Sequence, residues 1–597
     1  MGGDGRKSYL WAGAGIFLLA LAVRLIADLI FFSRHGWFSS HLIEVWFYYG
    51  VARGVFFLSP LDPTYLLLRL PGLVLPDSVL YQATVLSAAA VSALTAFLIY
   101  GWLRRRLGFA AGVGGGIAFA LLPAPITLCL VNFSHDLVAI PLIVLFFWAL
   151  DLSVRAGKVR LKAALAALAC LFLGLMVGPL MAGALLAALL AAAWPLLKRS
   201  LARPLGTALA VLYLAGLIFL SCLLFLLLRP NLLNWIAPLA LRFRGIDLAA
   251  QMRIQVGDLQ PLPPEAFWNR YTIFVFLIPW GLWTAFRKRD FFALTLFLVS
   301  LVLALVVNRA ARLLDVSVIL LVALAIAGWN RPAAWVTAVW ALLLFLGNLF
   351  FPSAVRAVYA AVPLGLEGLL GEIIDWAFPL EGGADPARLR FALLFIGYFL
   401  LGLAGPLIFR GKRLWAGAVL AVPVAFLQVS WVLAVAGTSS DEAEYRAYRK
   451  LDTLAAPGEK IFAAWNQGYF IGSVTGLDPL TTPEKIDLSL SRLYWEEEER
   501  AVEELLRRGV DYVHVSSRYF GITSVNPETD TFGMRGSTII GPRPDHIRRF
   551  SVMRRTLLFR MIYEPESLSR MRIIHQDLDP ETRLLVRIFR LAGPGEP

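Results

Sequence analysis

Runs of apolar residues long enough to cross a bilayer recur along this chain, and that feature leaves few folds open to it. Residues 164–197, 205–228 and 291–307 are three of the longest. A helix needs about 20 apolar residues to span the hydrocarbon core. In lipid the backbone must satisfy its own hydrogen bonds, so such runs are helices. No period-2 alternation points to a barrel. Charged residues make up only 16% of the chain, against about 25% in an ordinary soluble protein.

Spans are expected near 9–32, 78–103, 109–130, 137–154, 161–178, 179–197, 205–228, 272–286, 290–308, 313–329, 333–351, 389–409 and 414–436. That makes about thirteen. The first apolar stretch, Tyr9 to Phe32, follows Arg6-Lys7. It is too long for the apolar core of a signal peptide and has no clear small-residue cleavage site, so it reads as the first span.

The net charge of +14 has a local origin. Basic residues cluster in short segments between the spans: Arg104-Arg105-Arg106, Lys158/Arg160/Lys162, Lys198-Arg199, Arg287-Lys288-Arg289 and Arg410/Lys412/Arg413. Cytoplasmic loops carry such an excess. With the N-terminus cytoplasmic, the span count puts every one of these clusters inside. A nucleic-acid partner is therefore not expected. Membrane lipid is, in a multi-pass protein of the plasma membrane. The same count puts loops 33–77, 131–136, 229–271 and 352–388 and everything after 437 outside. Cys129, Cys170 and Cys222 lie in or beside spans and imply neither a disulfide framework nor a zinc site.

Composition changes abruptly near Gly437. The expected domains are a membrane domain, 1–436, and a soluble extracytoplasmic α/β domain, 437–597. Glu496–Arg508 has helical spacing and ends at Gly509, a suitable C-cap. Val510–Ser516 and Leu584–Phe589 read as strands, and Phe550–Tyr563 as a further helix. No internal repeat of the kind common in secondary transporters is visible.

Candidate chemistry lies in the outer loops. The first carries Glu44 ahead of Trp46-Phe47-Tyr48-Tyr49, a string that suits a membrane interface. The short turn Asn132-Phe133-Ser134-His135-Asp136 precedes an apolar helix. An ionisable residue there is a functional candidate, and equally a helix cap. The long loop carries Asp258 in Gln255–Pro261. Three such carboxylates can hold a hard cation, Mg²⁺ or Mn²⁺, and such an ion stabilises a leaving phosphate. Arg312, or else Arg309, at the outer end of another span can grip a phosphate with two hydrogen bonds.

In order and sidedness these strings resemble one family, the catalytic subunit of oligosaccharyltransferase with its archaeal and bacterial relatives, among the C-type membrane glycosyltransferases. Glu44-Val45-Trp46-Phe47-Tyr48-Tyr49 is similar to the family's acid followed by P-W-F-N-Y. Ser134-His135-Asp136 stands where the family has acid-x-acid, and Asp258 at the acid of the long-loop motif. Ala464-Trp465-Asn466-Gln467-Gly468-Tyr469 stands where it has W-W-D-Y-G. The strings LLFRMIY, MRIIHQD and LLVRIFRL resemble the family's closing helix and two strands.

The resemblance implies an inverting transfer of a glycan from a polyprenyl-(pyro)phosphate donor to an acceptor on the outer face. Glu44, Asp136 and Asp258 would be catalytic and hold the metal, with His135 replacing the acid lost to Ser134. Arg312 or Arg309 would bind donor phosphate. Trp465, Asn466, Gln467 and Gly468 would recognise the acceptor. Ala464 and Asn466 depart from the sequon-binding motif. They leave room for a protein, lipid or glycan acceptor, and for a monosaccharyl polyprenyl-phosphate donor. A transporter or a non-catalytic paralogue is the competing class.

Overall fold

The structure is a computed structural model. It describes residues 3–35, 43–56, 62–122, 134–154, 161–178, 180–200, 270–271, 277–306, 310–328, 442–482, 488–517, 520–536, 546–578 and 583–592, with a few single positions between. These fall into two compact units. One comprises Met1–Arg34, Pro60–Thr64 and Val85–Gly437; the other comprises His35–Ser59, Tyr65–Thr84 and Thr438–Pro597.

The helices, in chain order, are α1 (Gly3–His35), α2 (Ile43–Arg53), α3 (Pro63–Val74), α4 (Asp77–Leu107), α5 (Phe109–Leu121), α6 (His135–Val154), α7 (Leu161–Val177), α8 (Leu180–Ser200), α9 (Ile278–Arg287), α10 (Phe291–Val306) and α11 (Ala311–Ala327). Among the described residues, Tyr9–Ile26, Val79–Leu107 and His135–Ser153 are long and apolar enough to cross a membrane. Phe109–Leu121, Leu161–Val177, Leu180–Ala191 and Phe291–Ala304 are shorter apolar helices. Gly178 separates α7 from α8, so the closely spaced pair expected at 161–197 is two helices. The span expected at 109–130 is broken rather than continuous: α5 ends at Leu121, Leu122 turns to an extended backbone just before Pro123, and Pro125, Ile126 and Leu128 are again helical. A residue ahead of proline is pushed out of the α region. Spans expected at 205–228, 333–351, 389–409 and 414–436 lie outside the described residues.

Among the described residues of the first unit, α11 packs against α5, α6, α8, α9 and α10. Every residue from Leu313 to Ala325 is buried, and all of them but Asp315 and Ser317 are apolar, as suits a helix surrounded by others. Small residues of α5 let it approach closely: Gly115 faces Ile319 and Ala323. Arg24, in the first expected span, is also buried. Its guanidinium donates to Ser92 Oγ at 2.7 Å and to the carbonyls of Ala20 and Ala120, both at 3.0 Å. Ala120 lies in the last turn of α5, where carbonyls have no partner within their own helix. The charge thus fastens α1 to α4 and α5.

Charged residues also collect at one end of this unit. Arg106 pairs with Asp151 and forks onto Asp290 at 2.7 and 2.9 Å, while the Trp102 indole donates to Asp151 at 2.9 Å. All three charges come from span ends that the basic-loop pattern put on one side.

The second unit continues with α12 (Glu442–Leu454), β1 (Lys460–Phe462), a 3₁₀ turn (Trp465–Gln467), α13 (Gly468–Thr475), β2 (Asp478–Pro479), α14 (Glu498–Arg507), β3 (Tyr512–Ser516), β4 (Phe520–Asn526), β5 (Thr531–Gly536), α15 (Phe550–Met553), α16 (Leu557–Tyr563), β6 (Met571–Leu578) and β7 (Leu585–Leu591). A five-stranded sheet runs in the order β2-β1-β3-β7-β6. β2, β1 and β3 are parallel, whereas β7 is antiparallel to both β3 and β6. Strands β4 and β5 form a separate antiparallel pair. All five residues of β3 are buried, which suits a central strand covered on both faces.

Gly509 ends α14 with φ of 72°, the left-handed value that a glycine cap supplies. The single helix expected over Phe550–Tyr563 is instead two. Thr556 takes an extended backbone, accepts from the Phe559 amide at 3.3 Å and so starts α16 afresh. The same stretch bridges Glu497 and donates from the Leu557 amide to Glu496. That pairing is long-range, which is why helical spacing alone missed the break.

Candidate active site

In the first unit the site is built at the start of α6. Ser134 precedes this helix, and its Oγ accepts from the Asp136 amide at 3.3 Å. Ser134 therefore does the capping, and the Asp136 carboxylate is left for other work. That carboxylate is fully buried and pairs directly with the Arg312 guanidinium from the first turn of α11. His135 Nε2 lies 3.5 Å from Asp136 Oδ1. A Cβ added at Gly178, between α7 and α8, would stand 3.3 Å from His135 Cδ2 and 3.9 Å from Asp136 Oδ1, so the glycine borders both side chains. Three segments that the basic-loop pattern put on one side thus converge on one carboxylate.

One turn along α11 stands a second pair. Arg270 forks onto Asp315 at 2.6 and 2.7 Å, and the Tyr271 hydroxyl lies 3.5 Å from the Ala311 carbonyl. Arg270 closes the long loop that carries Asp258, so this fork ties the loop's end to the helix bearing Arg312. Sequence reasoning did not single out Arg270 or Asp315. The signal was present, since an aspartate inside an apolar span demands a partner. A buried carboxylate or guanidinium left without its counter-charge costs roughly 3–5 kcal/mol.

In the second unit, α2 carries Glu44 in its first turn, although the structure does not describe that side chain. The aromatic string that follows is packed against protein rather than lipid. Trp46 is buried and stacks on Phe470 with centroids 3.8 Å apart, and on Tyr81 at 5.0 Å. Phe47 meets Tyr469 at 4.8 Å, and a side chain at Gly50 would meet Ser473. Residue numbers rise together along α2 and α13, so the two helices run parallel. The Glu44 end of α2 therefore lies at the same end of the pair as the Trp465–Gln467 turn that leads into α13.

That turn is fixed from beneath. Gln467 Oε1 accepts from the Tyr448 hydroxyl at 3.0 Å, and its amide nitrogen donates to Glu444 at 3.4 Å. The Tyr448 hydroxyl also lies 3.1 Å from His514 Nε2. All four residues are buried. The Thr481 hydroxyl donates to the Ala463 carbonyl at 2.8 Å. A Cβ at Gly468 would stand 2.1 Å from the Thr481 carbonyl oxygen, so only glycine fits there. Trp465 is buried at 6% exposure, and its indole nitrogen has no hydrogen-bond partner among the described residues.

Asp258 and Arg309 lie outside the described residues, and the Asn466 side chain is not described. Among the described residues no three His, Cys, Asp or Glu side chains stand close enough to hold a metal ion. Asp136 and His135 supply two donors, and Arg312 already engages the first.

No protein-family model matches the sequence, and no curated protein matches it. Solved structures do. The archaeal oligosaccharyltransferase AglB from Archaeoglobus fulgidus, in complex with an inhibitory peptide and a dolichol-phosphate, superposes with a TM-score of 0.56 at 14% identity, over 97% of this chain and 80% of that one. The same organism's oligosaccharyltransferase in the apo form gives 0.53 at 15% identity, over 96% and 80%. ArnT from Cupriavidus metallidurans, bound to undecaprenyl phosphate, gives 0.52 at 14% identity, over 97% of this chain and 99% of that one. The chain thus shares its fold, over nearly its whole length, with two kinds of membrane glycosyltransferase. The oligosaccharyltransferase resemblance read from the motifs holds at the level of fold.

Proposed function

We propose that this chain is a membrane glycosyltransferase that moves a glycan from a polyprenyl-(pyro)phosphate donor to an acceptor at the outer face. The observation that carries the reading is the Asp136–Arg312 pair, on a fold whose solved neighbours hold dolichol-phosphate and undecaprenyl phosphate. Residues 1–436 form the membrane domain with the N-terminus in the cytoplasm, and 437–597 the extracytoplasmic domain.

Arg312 binds donor phosphate. Its planar guanidinium matches two phosphate oxygens at once. Arg309, three residues before it in the sequence, is the second candidate. The sugar's anomeric carbon breaks its bond to the phosphate oxygen and joins the acceptor atom on the opposite face. The electron pair leaves with the phosphate, and Arg312 offsets the charge that develops there. Among Glu44, Asp136 and Asp258, one carboxylate accepts the acceptor's proton. A divalent cation, Mg²⁺ or Mn²⁺, would add Lewis-acid stabilisation of the leaving phosphate. Holding it requires Glu44 and Asp258 to join Asp136, with His135 as the remaining donor. The Trp465–Gly468 turn recognises the acceptor.

The decisive assay reconstitutes the protein in liposomes with a polyprenyl-linked sugar donor and an Asn-X-Thr peptide. Transfer by the wild type, lost in Asp136→Asn and in Arg312→Ala, is the expected result. Full activity in both variants would sink the site.

A second reading, with a monosaccharyl polyprenyl-phosphate donor and a non-sequon acceptor, has its own support. Ala464 and Asn466 stand where the sequon motif has Trp and Asp, and the likeness covers the whole ArnT chain but four-fifths of the oligosaccharyltransferase. A monosaccharyl phospholipid that works where the pyrophosphate-linked oligosaccharide fails decides for it.

A further inference from the structure

Arg53 ends α2, and its side chain touches three things at once. Nη1 donates to the carbonyls of Ser473 at 2.5 Å and Val474 at 3.3 Å. Nη2 pairs with Asp77 at 3.1 Å. The guanidinium carbon lies 5.9 Å from the centroid of the Tyr49 ring. Ser473 and Val474 belong to the last turn of α13, where the helix's own hydrogen bonding leaves carbonyls without partners. The negative end of the helix dipole lies there too, and a cation is the fitting cap.

The two ends of α13 are therefore held by different means. Its first residue, Gly468, is pressed against the Thr481 carbonyl with no room for a side chain. Its last turn is held by Arg53, which is itself held by Asp77. Between them Trp46 stacks on Phe470 and Phe47 meets Tyr469. An eight-residue helix is about 12 Å long and moves as a rigid rod. A shift where Arg53 grips it must reappear at the Trp465–Gln467 turn that leads into its first residue.

We infer that Arg53 is a positioning residue: by capping α13 it locks the Glu44-bearing helix and the Trp465–Gly468 turn into one body, and so sets how the acceptor is presented. The inference rests on the acceptor role proposed for that turn. Arg53 itself touches no reacting group. Its part is to fix the offset between two parallel helices that carry candidate site residues at a common end.

The test compares Arg53→Gln, Arg53→Lys and Asp77→Asn in the full-length protein in nanodiscs. Hydrogen exchange is followed over residues 465–475, and transfer is followed with a polyprenyl-linked sugar and an Asn-X-Thr peptide. Arg53→Gln should raise exchange over 465–475 by about fivefold or more, as a lost cap opens a local unit. It should raise the peptide KM by a similar factor, about fivefold, while the donor KM stays within about twofold. Arg53→Lys keeps the cap's charge and should recover much of both effects, with Asp77→Asn falling between. Exchange over 465–475 equal to wild type in Arg53→Gln overturns the inference, as does an equal rise in both KM values. If the wild type itself transfers nothing, the function reading fails, and exchange alone still decides whether Arg53 couples the helices.

Discussion

At the residue scale the buried Asp136–Arg312 pair is the most exposed to test. Its geometry uses both charges, so removing one strands the other in an apolar setting. Arg312→Ala should cost stability by roughly 3–5 kcal/mol, and Arg312→Ala with Asp136→Ala together should cost less than the sum of the two. Thermal unfolding in detergent checks this, and strict additivity would mean that the two do not interact. Gly468→Ala forces a methyl into the Thr481 carbonyl and should destabilise the second unit by about 1–3 kcal/mol, seen as faster proteolysis. Asp136 was legible in the sequence because a carboxylate at the head of an apolar helix stands out. Its pairing with Arg312 was not, since nothing in local spacing joins residues so far apart. Gln467 shows the opposite limit. The motif marks it as a recognition residue, yet its amide faces Tyr448 and Glu444 inside the fold.

At the element scale, long amphipathic and β-rich segments were readable, and very short ones were not. α14, β3 and β7 follow their sequence patterns to within a few residues. β1 and β2 have only three and two residues, too few for any periodicity to register. β6 carries the testable titration. Burial lowers the His575 pKa below its ordinary 6.5; Lys450 and Arg446 add to this, and Asp577 opposes it. The folded state therefore binds fewer protons than the unfolded chain below pH 6.5. His575's contribution is fully present above that pH and is lost as pH falls toward its lowered folded value. Unfolding followed from pH 7.5 to 5 should show stability declining, and His575→Gln should flatten the slope. An unchanged slope would remove His575 as the cause.

At the scale of the whole molecule, the repeated apolar runs and the basic loops conveyed the helical class, and the order of motifs conveyed the fold later matched by solved structures. What the runs did not convey is which helices pack together, because that depends on partners such as Arg24 and Ser92 that are distant in the chain. It is also why the first-loop helix falls in the same compact unit as the C-terminal sheet, which no boundary drawn from composition would place together. The Arg106 cluster extends this point from space to time. Asp151 follows Arg106 by 45 residues and Asp290 by 184. At about 5–20 residues per second, the ribosome delivers the second carboxylate roughly 10–40 s after the arginine. Until then Asp151 is the one of its two carboxylate partners that has been synthesised. The cluster is therefore expected to close late, once the residue ahead of α10 has been made. Asp290→Asn should lower the yield of folded protein from a fixed amount of synthesis while leaving the kinetic constants of the molecules that do mature close to those of the wild type.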